Sequence, residues 1–113
     1  MININTSLDT EKGIFILEIG GEVDASSSIH LDTALQKAMK TNKKILVDLS
    51  SLNYISSAGL GVFMSVLQDI ENQKLGFVIF GMNDKVHDVF DILGLTQLLN
   101  IKKNKDEAIA ELK

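Results

Sequence analysis

Ile2, Ile4, Thr6 and Leu8 alternate with polar residues, the period of a half-buried strand. A polar turn follows from Asp9 to Gly13, and then the apolar run Ile14–Ile19, closed by Gly20 and Gly21. Two such runs joined by a short turn containing glycine predict a β-hairpin. From about Ser27 to Thr41 the pattern changes to helical spacing, with Leu31, Ala34, Leu35, Ala38 and Met39 on the apolar side. Ile45–Leu49 reads as a short buried strand, Ser50–Ile55 as a loop, and Ser57–Asn72 as a second helix. In that helix Met64, Val66, Leu67 and Ile70 are expected in the core. Leu75–Gly81 is the next strand. Asp84–Leu93 is a helix with Val86, Val89, Phe90 and Leu93 on one side and Gly94 as its stop. A weak strand around Leu98–Ile101 and a helix from Asp106 complete the chain.

Strands alternating with helices predict an α/β fold with a mixed, mainly parallel sheet of four or five strands, the opening hairpin supplying an antiparallel edge. Each β-α-β crossover is expected to be right-handed. At 113 residues, with no proline, repeat or low-complexity tract to mark a linker, the expectation is a single domain over residues 1–113. Apolar residues make up 45% and charged residues 23%, which fits a folded chain rather than a disordered one.

No apolar run approaches the roughly 20 residues that span a bilayer. The opening MININTSLDT lacks the basic start and hydrophobic stretch of a signal peptide, so a soluble, cytoplasmic protein without membrane insertion is expected. The absence of cysteine excludes disulfides, thiolate metal sites and cysteine catalysis. Net charge is −4 and all eleven basic residues are lysines, so there is no bidentate guanidinium clamp for phosphate. That balance argues against direct nucleic-acid binding.

The densest chemical signal is Ser56-Ser57-Ala58-Gly59-Leu60-Gly61, where two serines and two glycines enter a helix within its first turns. Serine at a helix start has an ordinary role, accepting a bond from a free backbone N–H, so Ser57→Ala would lose at most a cap. Glycine inside a helix costs about 1 kcal/mol relative to alanine. Two of them therefore need a reason: close helix–sheet packing, or room for a partner to approach the backbone. Asp24 reads equally as a helix cap or as part of a partner surface, and Met82 and Asn83, which follow the Leu75–Gly81 strand, are candidates for the border of that surface.

Catalysis has little to stand on. There is no Gly-x-Ser-x-Gly elbow, and Gly59-Leu60-Gly61 lacks the lysine of a phosphate-binding loop. His30, beside Ser28 and Asp32, reads as a solvated residue. Asp84, His87, Asp88 and Asp91 could be written as a metal set, but an exposed charged helix face is the commoner meaning of such a run. No catalytic residue, metal or cofactor is expected.

The serine segment following Val47-Asp48-Leu49 resembles the STAS-domain family, specifically its bacterial anti-sigma factor antagonists, in which a strand runs into a loop with an Asp-Ser-x-Gly-Leu-Gly-like motif. Gly21-Glu22-Val23-Asp24-Ala25 is similar to the family segment ending the second strand. Val89-Phe90 and Leu93-Gly94-Leu95 are similar to the one closing the third helix. The resemblance covers essentially the whole chain and implies a single STAS domain whose helices form a right-handed β-α superhelix. It also implies a binding protein rather than an enzyme. The unmodified form would bind an anti-sigma factor that is also a serine kinase, freeing a sigma factor. Phosphorylation of Ser57, which matches the family's modified serine, would end that binding, and a phosphatase would reverse it. Asp24, Ser56, Ser57, Ala58, Gly59, Leu60 and Gly61 would form the partner surface. The family's frequent Asp before the modified serine is Ser56 here. The alternative within the same fold is a non-switching scaffold or regulatory subunit of a sensory or transport complex.

Overall fold

The computed structural model describes residues 1–112, and its first feature is the expected hairpin. It joins β1 (Asn3–Asp9) to β2 (Ile14–Val23) in antiparallel register, from Asn3 opposite Gly20 to Asp9 opposite Ile14. The chain continues through α1 (Ser28–Thr41), β3 (Lys44–Asp48), β4 (Leu52–Ile55), α2 (Ser57–Gln73) and β5 (Gly76–Phe80). It closes with α3 (Asp84–Ile92), α4 (Leu95–Leu98), β6 (Asn100–Lys102) and α5 (Lys105–Leu112). The strands lie in the order β1-β2-β3-β5-β6, all parallel after the hairpin, and β4 pairs in parallel with the end of β2.

Alternation along the central strands places a core on each face of the sheet. Leu17, Ile19, Ile45, Val47, Phe77 and Ile79 join residues of α1, α2 and α3 on one face. Ile14, Leu46, Val78 and Phe80 meet Ala108 and Leu112 of α5 on the other. Strands buried on both faces become continuous apolar runs, which is why Ile45–Val47 and Phe77–Phe80 show no polar alternation. Phe63 of α2 and Phe90 of α3 meet edge to face, ring centroids 5.3 Å apart, and lock those two helices together. No helix among the described residues is long and apolar enough to cross a membrane.

The sheet has six strands rather than four or five, and the additional one, β4, replaces the expected loop over Ser50–Ile55. Its cause lies in β2. Gly20 and Gly21 do not end that strand but carry it through an irregularity in register, with Gly21 at φ +82°. A side chain at Gly20 would press on Ser51. The strand continues to Val23 and so offers β4 a partner. Near the C-terminus Leu98 belongs to the short helix α4 rather than to a strand, and β6 begins only at Asn100. Met64 was expected in the core but is 50% exposed on α2, whereas Val66 is buried and Leu67 and Ile70 are half-buried.

Candidate functional site

The parallel strands deliver three loops to one end of the sheet. The Val23 carbonyl accepts the Ser56 N–H at 2.7 Å, which ties the exit of β2 to the entry of α2. Asn83 ties in the third loop. Its Nδ2 donates to the Leu52 carbonyl at 3.1 Å, while its Oδ1 accepts the Val86 N–H at 2.9 Å and caps α3. Asn83 thus acts as a brace for the loops.

At the start of α2 the two serines divide their work. Ser56 has extended backbone and is the helix cap, its Oγ accepting the Gly59 N–H at 3.3 Å and its carbonyl the Leu60 N–H at 3.0 Å. Ser57 is the first helical residue, is exposed, and its hydroxyl makes no hydrogen bond among the described residues. The cap expected of Ser57 therefore falls to Ser56. The N–H groups of Ser57 and Ala58 have no acceptor within the helix, because the chain provides none four residues earlier in helical geometry. No acidic side chain lies in that first turn, so the helix itself supplies no counter-charge to its positive end.

The two glycines also separate. A Cβ on Gly59 would lie 2.7 Å from Ile55 Cγ1 and 2.8 Å from Val23 Cγ1, so this glycine lets α2 seat against β2 and β4. A Cβ on Gly61 would meet nothing within 4 Å. Packing explains Gly59 and leaves Gly61 without a structural need. Leu60 points inward and is buried, whereas Ala58 and Gly61 are exposed on the same helix.

Asp24 sits immediately after Val23. Its Oδ1 accepts the Ser27 N–H at 2.8 Å, the Ser27 hydroxyl at 2.9 Å and the Ser26 hydroxyl at 2.8 Å. Its own N–H donates to Ser27 Oγ at 2.9 Å. These bonds, that from the Ser27 N–H foremost and then those from the two hydroxyls, hold the carboxyl down at about 2. Asp24 therefore organises the turn that leads into α1. The side chain is exposed as well, so a structural role does not remove it from the surface.

The sequence model of the STAS domain matches residues 5–108. The chain belongs to the STAS domain family. It is 30% identical over 90 residues to the anti-sigma-B factor antagonist of Listeria monocytogenes, with 79% of each chain covered. An anti-sigma factor antagonist from Mycobacterium paratuberculosis superposes with a TM-score of 0.82 at 18% identity, covering 97% of this chain and 94% of that one. The phosphorylated form of the Bacillus cell fate determinant SpoIIAA gives 0.73 at 16% identity, over 98% of this chain and 100% of its own. At those identities the two structures establish that this chain has the STAS fold.

Within this STAS domain, sequence reasoning missed Tyr54, which is 52% exposed on β4 immediately before the Ile55-Ser56 junction. With Ile55, Val86 and Val89 it lines a groove of about 340 Å³ between β4 and α3. The residue was hidden because its segment read as a loop; in β4 the end residues Leu52 and Ile55 are buried and the middle pair, Asn53 and Tyr54, is exposed. The other candidates stay apart from this site chemically. His30 and His87 are exposed, and no three His, Cys, Asp or Glu side chains among the described residues gather as a metal site requires.

Proposed function

We propose that this STAS domain is an anti-sigma factor antagonist whose binding to an anti-sigma factor with serine kinase activity is switched off by phosphorylation of Ser57. The observation that carries this reading is the division of labour at the start of α2. Ser56 holds the helix while the adjacent Ser57 hydroxyl is exposed and makes no hydrogen bond among the described residues. Asp24, Ser56, Ser57, Ala58, Gly59, Leu60 and Gly61 make up the partner-binding segment. Ala58, Gly61 and Asp24 offer exposed surface, whereas Gly59 and Leu60 hold that surface in place from beneath. The name of the Listeria relative supports the choice of partner.

Phosphorylation adds about −1.5 to −2 charge units near neutral pH. At a helix N-terminus the free N–H groups and the helix dipole stabilise that charge, so the fold persists. A partner surface built against a neutral hydroxyl meets a desolvated dianion instead. The domain acts by binding and release, with no reaction chemistry of its own, and a phosphatase returns it to the binding form.

Incubation with the cognate anti-sigma kinase and Mg–ATP, followed by peptide mapping, tests the assignment. Phosphate on Ser57, absent from Ser57→Ala, is the expected result. Phosphate confined to Ser56 or Ser50, or no phosphate at all, overturns it.

A further inference from the structure

Strand β1 forms one edge of the sheet and has β2 as its only strand partner among the described residues. A long unpaired edge displays N–H and C=O groups that template another strand. Proteins ordinarily blunt such edges with lysine, proline, a bulge or a covering element. β1 has neither lysine nor proline, its seven residues run in unbroken register with β2, and its single charged residue is Asp9 at the very end. The other edge, β6, has only three residues and carries Lys102.

Along β1, Ile4, Thr6 and Leu8 share a face. Ile4 packs against the main core, but Leu8 is 53% exposed. We propose that β1 is a dimer seam, pairing antiparallel with β1 of a second copy of this chain about a two-fold axis through Thr6. That register uses the whole strand and sets Leu8 opposite Ile4 of the second copy. Asn5 then faces Ser7, and Thr6 faces Thr6. Apolar side chains meet apolar ones, and threonine against threonine is a favourable cross-strand pair. The two Asp9 carboxylates fall at opposite ends of the seam, about 20 Å apart at roughly 3.4 Å per residue. Parallel in-register pairing would instead bring Asp9 against Asp9, and it lacks the closed two-fold symmetry that favours a dimer over a fibre. The strand is self-complementary in one orientation.

Sedimentation equilibrium of the full chain up to millimolar concentration tests the seam. The expected mass rises from that of one 12.4 kDa chain to twice that value. Thr6→Lys and Ser7→Lys place like charges close together across the axis on opposite faces of an exposed strand. Both variants should melt like the parent and remain monomeric. Because the native chain has no cysteine, Thr6→Cys should give a disulfide-linked dimer on mild oxidation, whereas Glu11→Cys, in the hairpin turn away from the axis, should not. A parent chain that stays monomeric throughout overturns the proposal. So does a dimer that survives both lysine substitutions, or one that crosslinks through Glu11→Cys and not through Thr6→Cys.

Discussion

Replacing each α2 glycine with alanine in turn gives a direct test of how this helix is seated. At position 59 the new Cβ would lie 2.7 Å from Ile55 Cγ1 and 2.8 Å from Val23 Cγ1. Both neighbours are β-branched, buried and held in paired strands, so neither can rotate away cheaply. Overpacking of this kind costs about 1–3 kcal/mol. Against it stands about 1 kcal/mol gained by removing glycine from a helix. The net for Gly59→Ala is a loss of about 0–2 kcal/mol. At position 61 the new Cβ would meet no atom of another element within 4 Å among the described residues. There the helix term acts alone, and Gly61→Ala gains about 1 kcal/mol. For a domain of this size that is about 4 °C in melting temperature. Thermal melts followed by circular dichroism should therefore place Gly61→Ala above the parent and Gly59→Ala level with it or below. Gly59→Ala melting as high as Gly61→Ala would refute the close approach of α2 to β2 and β4. Because the proposed partner surface includes Gly61, its stabilised variant should nonetheless bind the anti-sigma factor about tenfold more weakly, near 1.4 kcal/mol.

Two further substitutions separate the serines and the turn before α1. Ser56→Ala should lower stability by about 1 kcal/mol through the lost cap, while Ser57→Ala stays within about 0.5 kcal/mol of the parent in urea titrations. Equal losses would contradict the assignment of the cap. The carboxyl of Asp24 is held at about 2 against an ordinary 3.8, so its ionised form is favoured in the folded chain. Its contribution is present in full above the unfolded value and is lost as pH falls through the folded one. The melting difference between the parent and Asp24→Ala should thus be constant above pH ~4 and shrink toward pH ~2; a difference that grows on acidification has the wrong sign.

Periodicity was sufficient for the hairpin, the two long helices and the central strands, because each carries an unbroken apolar pattern of one period. It failed where contact, not pattern, decides the structure. Gly20 and Gly21 look like the end of a strand in sequence, yet they accommodate Ser51 and the chain before β1 and let β2 run on. β4 exists only because that extension offers it a partner, and four residues with buried ends and exposed centre show no alternation to detect. Tyr54 was hidden with it. Met64 fits the helical stripe as well as Phe63 does, but no element packs over that side of α2 deeply enough to bury it. At the site, the serine and glycine segment was legible as a unit. The separate duties of Ser56 and Ser57, and of Gly59 and Gly61, depend on distances across the fold that no spacing rule contains.

The central claim is that charge at Ser57 controls binding without disturbing the fold, and titration calorimetry of the anti-sigma factor with the parent, Ser57→Ala and Ser57→Asp tests it most directly. Aspartate at the first helical position is favourable to the helix by a few tenths of a kcal/mol. Desolvating it unpaired against a partner costs several kcal/mol, and about 2.7 kcal/mol already weakens affinity a hundredfold. The account predicts parent-like melts for both variants, alanine binding within about tenfold of the parent, and aspartate at least about a hundredfold weaker. Parent-like affinity for Ser57→Asp, together with undiminished binding by the stoichiometrically phosphorylated chain, would contradict it.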